Sequence, residues 1–167
     1  MLVGLMGAGK TTVGGMCAER LGRPFVDTDD VVEMLAHAPV AEIFANDGEA
    51  RFRELEKQAV ADVCGSPEPL VIACGGGAVL DPANRRLLRA SGRVVWLRAP
   101  VSVLRARVGD GCGRPLLAAG SRSTLERLAA QRESAYSAAA HVRVDTEGLD
   151  PDGVADALLA LWREASE

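Results

Sequence analysis

Short apolar segments alternate with longer stretches of helical periodicity along most of the chain. Strands covered on both faces appear in a sequence as short apolar runs, whereas the helices that connect them repeat every ~3.6 residues. The pattern therefore predicts βαβ units, a parallel sheet and an α/β fold. The predicted strands are Leu2–Val3, Pro24–Val26, Leu70–Ala73, Val94–Leu97 and Val142–Val144. The predicted helices are Thr12–Leu21, Asp30–Ala36, Val40–Phe44, Glu49–Val63, Pro82–Arg89, Val101–Arg107, Thr124–Ala138 and Pro151–Glu164.

Residues 1–167 are predicted to form a single domain, because no repeat, low-complexity segment or linker divides them. One stretch interrupts the pattern: residues 109–123 carry four glycines around an Arg-Pro-Leu-Leu segment, between two predicted helices. Long glycine-rich loops inside compact domains are typically functional. We therefore predict a mobile lid at about residues 109–123, with a disordered connection as the alternative.

A phosphate-binding motif lies close to Met1. The segment Gly4–Thr11 (GLMGAGKT) matches the pattern G-x-x-x-x-G-K-[ST], in which glycines let the backbone wrap a phosphate with its N–H groups pointing at the anion. In that pattern Lys10 reaches the β- and γ-phosphates, and the Thr11 hydroxyl ligates the accompanying Mg²⁺. The motif stands between a predicted strand and a predicted helix, whose N-terminus also attracts anions. An ordinary glycine-rich turn is therefore the weaker interpretation.

Two acids follow the second predicted strand, at the sheet edge where open α/β folds bind ligands. Alternation along an extended chain would place Asp27 and Asp29 close together with similar orientation. One carboxylate can serve Mg²⁺ beside Thr11, and the other can orient an attacking hydroxyl or accept its proton. The structural alternative is a helix N-cap followed by a first-turn acid, and the two roles are compatible.

Two further segments suit a small anionic substrate. Glu49, Arg53 and Glu56 are spaced four and three residues apart, so they share one helix face. Arg53 can clamp a substrate carboxylate in bidentate fashion, or it can belong to a solvated ion-pair surface. The run Gly75–Gly77 follows the third predicted strand and exposes side-chain-free backbone to a ligand, with a structural turn as the alternative.

Three arginines surround the predicted lid. Arg107 precedes it, Arg114 lies within it and Arg132 lies on the helix that follows. An arginine on a closing lid suits phosphoryl transfer, which depends on positioning and charge stabilisation. Arginine is abundant in this chain, so spacing alone does not separate these three from surface residues. Tyr136 is predicted to be a packing residue on a helix face.

Composition narrows the class of protein. Hydrophobic residues make up 48 % and charged residues 25 % of the chain, which are ordinary globular values. The net charge of −4 argues against nucleic acid or a membrane surface as partner. Four cysteines without metal-ligand spacing favour free thiols over zinc or disulfides. The apolar start lacks a cationic leader and no run approaches transmembrane length, so we expect a cytoplasmic protein.

Six segments in order, GLMGAGKTTVG, DTD, IFANDGEARFRELE, CGGGAV, GRPLL and QRESAY, resemble those of shikimate kinases. The resemblance runs from Met1 to about Thr146. It implies a monomeric phosphate-loop kinase of the nucleoside-monophosphate-kinase-like group, with three α/β/α layers around a five-stranded parallel sheet. It also implies Mg²⁺-dependent transfer of the γ-phosphate of ATP to the 3-hydroxyl of shikimate, in chorismate and aromatic amino-acid biosynthesis.

The resemblance implies a role for each matching residue. The implied catalytic residues are Asp29 as general base, Lys10, and Arg114 near the transferring phosphate. The implied ATP contacts are Gly7, Ala8, Gly9, Lys10, Thr11, Thr12, Arg107 and Arg114, with Thr11 and Asp27 at the metal. The implied shikimate contacts are Asp29, Arg53, Gly75, Gly76, Gly77 and Arg132, with Glu56 supporting Arg53.

Two features depart from the family's pattern. The family often carries an arginine near adenine just ahead of the proline that corresponds to Pro151, but the stretch here is Glu147–Asp150, so we expect one adenine contact to be lost. Only three residues precede the first loop glycine. Either the true start lies upstream or the first strand is very short.

Two other functions compete with this interpretation. Gluconate kinase has a similar fold, and gluconate also offers hydroxyls and a carboxylate, but the GGGAV and RPLL segments favour shikimate. A nucleotide-dependent switch is disfavoured because no N-K-x-D guanine-binding motif is present. Lys10, Asp29 and the arginines, which an inactive paralogue is expected to lose, are intact.

Overall fold

The computed structural model describes residues 1–108 and 121–164. Within them, parallel strands form a sheet in the order β2-β3-β1-β4-β5. The strands are β1 (Leu2–Val3), β2 (Phe25–Asp27), β3 (Val71–Ala73), β4 (Val95–Arg98) and β5 (Val142–Asp145). The helices are α1 (Lys10–Leu21), α2 (Thr28–Ala36), α3 (Val40–Asn46), α4 (Gly48–Cys64), α5 (Pro82–Ser91), α6 (Val101–Val108), α7 (Ser121–Ala139) and α8 (Pro151–Glu164), with a 3₁₀ turn at Ala78–Leu80.

The short first strand lies at the centre of the sheet. Leu2 pairs with Ala73 of β3 and Val95 of β4, and Val3 pairs with Trp96. Leu2 and Val3 are both fully buried. Because successive strand residues point to opposite faces, both faces of the sheet must be covered by helices. The predicted α/β fold with a five-stranded parallel sheet in three layers is confirmed.

The strand order creates a crevice at one edge of the sheet. The connection after β1 leads to β2 on one side, whereas the connection after β3 leads to β4 on the other side. Adjacent strands whose connections diverge leave a gap beyond their carboxyl ends, and ligands of open α/β folds bind there. The segment after β1 is the phosphate loop and the segment after β3 is the glycine run. The fold therefore places these two motifs side by side.

A smaller lobe stands beside the crevice. Helices α2, α3 and α4 contact one another. They enclose a second hydrophobic cluster built from Val32, Ile43, Phe52, Leu55 and Ala59. Because Val60 and Val63 of α4 also belong to the main hydrophobic core that contains the strands, the polar face of α4 is held in a fixed position relative to the sheet.

Several helix boundaries differ from prediction, and one changes the geometry of the site. Helix α2 begins at Thr28 instead of Asp30, so Asp29 lies in a helical turn and strand alternation does not orient it. The cause is a local cap, since the Asp27 carboxylate accepts a 3.1 Å hydrogen bond from the Asp29 amide. Helix α1 begins two residues earlier than predicted, directly after Gly9 with φ of 91°.

The predicted lid falls largely outside the described residues. Residues 109–120, which include Arg114, lie outside the described residues. Helix α7 begins at Ser121, three residues before its predicted start, so the last residues assigned to the lid are helical. Among the described residues, no helix has both the length and the apolar character needed to cross a membrane.

Candidate active site

The phosphate loop packs so tightly that glycine is required at two of its positions. Gly4 has φ of 146°, and a Cβ there would collide with the carbonyl oxygen of Leu97. Gly7 has φ of 80°, and a Cβ there would lie 2.8 Å from the carbonyl oxygen of Leu104. Any side chain would therefore be strained by the backbone and would also collide with neighbouring backbone atoms. These contacts fix the loop against β4 and α6.

Lys10 stands at the first position of α1, where the loop ends. Its Nζ donates hydrogen bonds to the carbonyl oxygens of Gly4 at 2.8 Å and Leu5 at 3.1 Å. These bonds lay the lysine across the loop, so the cation is already inside the phosphate cradle. A phosphate that enters the loop can replace these carbonyl oxygens as the hydrogen-bond acceptor of the ammonium group, without a large movement of the side chain.

Thr11 and Asp27 place two oxygen atoms beside the loop. The Thr11 hydroxyl donates a 2.8 Å hydrogen bond to Oδ2 of Asp27. Adjacent ligands of an octahedral Mg²⁺ ion lie about 2.9 Å apart, because each Mg–O distance is about 2.0–2.1 Å. The observed spacing therefore fits two neighbouring positions on one Mg²⁺. Within residues 1–108 and 121–164, no group of three or more acidic, histidine or cysteine side chains is arranged so that it could hold a metal ion by itself.

Asp29 presents a buried carboxylate oxygen beside this pair. Its Oδ1 has no hydrogen-bond partner within the described part of the chain. Burial, reinforced by the charge of Asp27, raises the pKa of Asp29 to about 6. An oxygen that is desolvated, unpartnered and more basic than an ordinary carboxylate is suited to accept a proton or a hydroxyl hydrogen bond.

Arg53 is held on α4 by two acids. Its Nη1 donates to Oε2 of Glu56 at 2.6 Å, and its Nη2 donates to Oε1 of Glu49 at 2.9 Å. Burial alone would lower the pKa of Arg53, but the two acids raise it, so the guanidinium stays charged. Burial raises the pKa of Glu56 against the opposing charge of Arg53. The predicted shared helix face is observed, but it is a partly buried ion-pair network and not a solvated surface.

The glycine run packs against these side chains. A Cβ at Gly75 would lie 2.5 Å from Oδ1 of Asp29 and 2.9 Å from Oε1 of Glu56. A Cβ at Gly77 would collide with the guanidinium of Arg53. The absence of side chains on these glycines is therefore what allows the acids and Arg53 to close over the backbone.

The opposite side of the glycine run is bound by α7. The carbonyl oxygen of Gly76 accepts hydrogen bonds from Nη1 of Arg132 at 3.0 Å and from the hydroxyl of Tyr136 at 2.6 Å. Arg132 is only 3 % exposed, yet its side chain lines the crevice. A buried guanidinium beside a cavity is positioned to pair with an anion that enters it.

Arg107 lies at the other end of the crevice. It donates to the hydroxyl of Thr146 at 3.0 Å and to its carbonyl oxygen at 2.9 Å. Leu149 and Pro151 line the same end. In the stretch that lacks the family's arginine, Leu149 is exposed and presents an apolar surface instead.

One cavity of about 690 Å³ joins these parts, a size suited to small-molecule ligands. The predicted site residues that line it are Gly7, Ala8, Gly9, Lys10, Thr11, Thr12, Asp27, Asp29, Arg53, Gly76, Gly77, Arg107 and Arg132. Gly75 is adjacent to the Asp29 carboxylate. Arg114 lies outside the described residues. One cavity therefore holds an anion-binding loop, two arginines and a basic carboxylate.

The sequence comparison decides the family. A family model described as shikimate kinase matches residues 6–162. The chain belongs to the shikimate kinase family. A shikimate kinase from Symbiobacterium thermophilum is 47 % identical over 171 aligned positions, which cover 100 % of this chain and 97 % of the relative. The resemblance predicted from the sequence is confirmed.

Solved structures of the family agree in fold. A shikimate kinase from Acinetobacter baumannii, solved in complex with shikimate, superposes with a TM-score of 0.94 and 36 % identity. The match covers 98 % of this chain and 92 % of that one. A gluconokinase from Sinorhizobium meliloti, at 24 % identity and a TM-score of 0.58, matches 99 % of this chain and 92 % of its own, and shares the fold alone.

Sequence reasoning missed two polar contacts that shape the site. The Thr28 hydroxyl accepts a 2.8 Å hydrogen bond from the Gly75 amide and so joins α2 to the glycine run. Tyr136, predicted only to pack, also bonds to Gly76. The four-residue spacing of Arg132 and Tyr136 shows that they share a helix face, and it could have identified Tyr136.

Proposed function

We propose that this chain transfers the γ-phosphate of ATP to the 3-hydroxyl of shikimate. The observation that carries the proposal is that Asp29 lines one cavity with the phosphate loop and the arginine pair Arg53 and Arg132, near enough to Lys10 and Arg53 for their charges to act on its pKa. Family membership supports the reaction, as does the likeness to the Acinetobacter baumannii structure that holds shikimate. The product is shikimate 3-phosphate, within chorismate and aromatic amino-acid biosynthesis.

The acceptor half of the site binds a polyhydroxylated carboxylate. Arg53 and Arg132 approach the glycine run from different helices, so their guanidinium groups can grip a carboxylate from two sides. Gly75, Gly76 and Gly77 form the floor of this subsite. A ring hydroxyl on the far side of the substrate then reaches Asp29, which orients it toward the phosphate and accepts its proton.

The donor half of the site binds ATP. The backbone of Gly7–Gly9, with Lys10 and the start of α1, holds the phosphates, and Thr12 lies at the mouth of the loop. Thr11 and Asp27 hold Mg²⁺, which neutralises phosphate charge when it is bound. Arg107 borders the adenine. By the family resemblance, Arg114 adds a positive charge near the transferring phosphate from the predicted lid.

The oligomeric state, location and partners of the enzyme are also part of the proposal. Both substrates are small molecules, and each half of the site belongs to one chain, so we propose a monomer in the cytoplasm without a nucleic-acid or membrane partner. Size-exclusion chromatography with light scattering checks the oligomeric state.

A coupled ADP-release assay tests the activity. Purified protein is assayed with ATP and Mg²⁺ against shikimate, gluconate and nucleoside monophosphates, and with Mg²⁺ removed by chelation. We expect turnover with shikimate and Mg²⁺ only. Turnover of gluconate without turnover of shikimate would overturn the proposal in favour of the gluconate alternative.

A further inference from the structure

Tyr136 and Arg132 converge on one backbone atom. Lying four residues apart on α7, they project from the same helix face, and both donate to the carbonyl oxygen of Gly76. Tyr136 is 1 % exposed and Arg132 is 3 % exposed. A hydroxyl at 2.6 Å and a guanidinium at 3.0 Å therefore fix this carbonyl in a water-poor environment.

The fixed carbonyl also determines the direction of the next amide. In a trans peptide the C=O of Gly76 and the N–H of Gly77 point in opposite directions, and no cis peptide occurs in the described residues. Because the carbonyl points to α7, the Gly77 N–H points away from α7. Gly77 lines the cavity, and its N–H donates to no acceptor within residues 1–108 and 121–164. The Gly77 N–H is therefore available to a ligand.

The tyrosine hydroxyl is not needed for packing. The ring of Tyr136 stacks on Trp96 with centroids 5.7 Å apart and planes inclined by 22°. Phenylalanine would make the same ring contact and would not require a buried polar atom to be satisfied. Burial raises the pKa of Tyr136 to about 12, so the phenol keeps its proton across the assay range. The hydroxyl is thus a permanent donor to Gly76.

We propose that Tyr136 is a positioning residue for the acceptor substrate. Its hydroxyl locks the Gly76 carbonyl that anchors Nη1 of Arg132, so that the guanidinium is presented to the substrate carboxylate, while the Gly77 N–H on the opposite side of this peptide is left for a different oxygen of the substrate. The proposal rests on the proposed function for the identity of that carboxylate. Tyr136 touches no reacting atom, so its effect acts through binding of the acceptor and not through the chemical step.

Tyr136→Phe tests the proposal by removing the hydroxyl alone. We expect the KM for shikimate to rise about tenfold, the scale of one lost hydrogen bond that orients a charged ligand, while kcat and the KM for ATP change less than about twofold. Trp96→Phe is the matched control, because it disturbs the ring stack and leaves the hydroxyl in place. It should lower the thermal midpoint without raising the KM for shikimate. An equal rise of that KM in both variants would assign the effect to packing and overturn the proposal.

A binding experiment without catalysis separates positioning from a general loss of structure. Affinities of wild type and Tyr136→Phe are measured by calorimetry for shikimate and for its neutral carboxamide. We expect the substitution to weaken shikimate about tenfold and the carboxamide much less, because only the carboxylate forms a charge-assisted pair with the guanidinium of Arg132. Equal weakening of both ligands would overturn the proposal. If wild type turns over shikimate but the variant has unchanged kinetics, this inference alone fails. If wild type does not turn over shikimate, the proposed function fails.

Discussion

Glu56 accepts a 2.6 Å hydrogen bond from Nη1 of Arg53 while only 2 % of Glu56 is exposed. The guanidinium of Arg53 occupies the position that a Cβ on Gly77 would take, so it lies directly on the backbone of the glycine run. A buried carboxylate without a partner is costly, and Arg53 is therefore held strongly in this one position. The ion pair converts a flexible arginine into a fixed anion-binding group.

Arg53→Ala should raise the KM for shikimate by about tenfold or more, with a smaller change in kcat, because the carboxylate loses a charge-assisted partner. The variant should also unfold at a lower temperature, since Glu56 is left buried without its cation. Steady-state kinetics and thermal unfolding measure the two effects.

Two further variants serve as controls for Arg53→Ala. Arg51→Ala removes a cation of the same helix from an exposed pair with Glu54, and should leave both quantities near wild type. Adding Glu56→Gln to Arg53→Ala removes the uncompensated charge, and should recover stability without recovering the KM. An unchanged KM in Arg53→Ala would place the substrate carboxylate elsewhere.

Asp29→Asn should lower kcat by about 10²-fold or more, as expected when a general base is replaced by a neutral amide of the same shape. Rapid-quench measurement of the phosphoryl-transfer step isolates the effect from product release. Asp30→Asn, at the exposed neighbouring position, should keep kcat near wild type. Near-normal turnover by Asp29→Asn would remove Asp29 from the role of base.

The rate should depend on pH through the same carboxylate. A base must be deprotonated to act, and the pKa of Asp29 is raised to about 6 by its burial. We therefore expect kcat/KM for shikimate to be constant above about pH 7 and to fall toward tenfold per pH unit below about pH 6. An acid limb centred near pH 4, the ordinary carboxylate range, would contradict the assigned environment.

The free energy of unfolding should change with pH in the opposite direction from the rate, falling as the pH rises. Because the pKa of Asp29 is higher in the folded state than its unfolded value of about 3.9, ionising it costs folding free energy above about pH 6, and the cost vanishes as pH falls to about 4. Asp29→Asn should therefore unfold at a higher temperature than wild type at pH 8, and the gap should close near pH 4. A constant gap across this range would show that titration of Asp29 is not its cause.

Gly75→Ala should impair catalysis, because its Cβ would lie 2.5 Å from Oδ1 of Asp29 and would displace the carboxylate. We expect kcat to fall by about tenfold or more, measured in the same ADP-release assay. Gly15→Ala is the control: it faces open space within α1, so it should stabilise the fold by about 0.5–1 kcal/mol and leave kcat unchanged. Wild-type kcat in Gly75→Ala would show that Asp29 tolerates displacement.

Local sequence patterns predicted some features of the candidate site and not others. The spacing of Glu49, Arg53 and Glu56 correctly predicted a shared face, because helical periodicity is a local property. Strand alternation was expected to bring Asp27 and Asp29 together. Both line one cavity, but Asp29 lies in the first turn of α2, because the Asp27 cap starts that helix two residues early. Tyr136 was predicted to pack, and it does, but its bond to Gly76 joins residues 60 positions apart, and its spacing from Arg132 reports only their shared helix face.

The sequence by itself determined the α/β class, the strand and helix segments, the phosphate loop and the family. Each depends on periodicity or on fixed residue types within a few positions. Only the tertiary structure decided the strand order that brings the loop beside Gly75–Gly77, and the packing of Asp29 and Glu56 against Gly75. Desolvation depends on which distant segments pack around a group, so the raised pKa of Asp29 and the fixed position of Arg53 arise from the fold and not from the adjacent sequence.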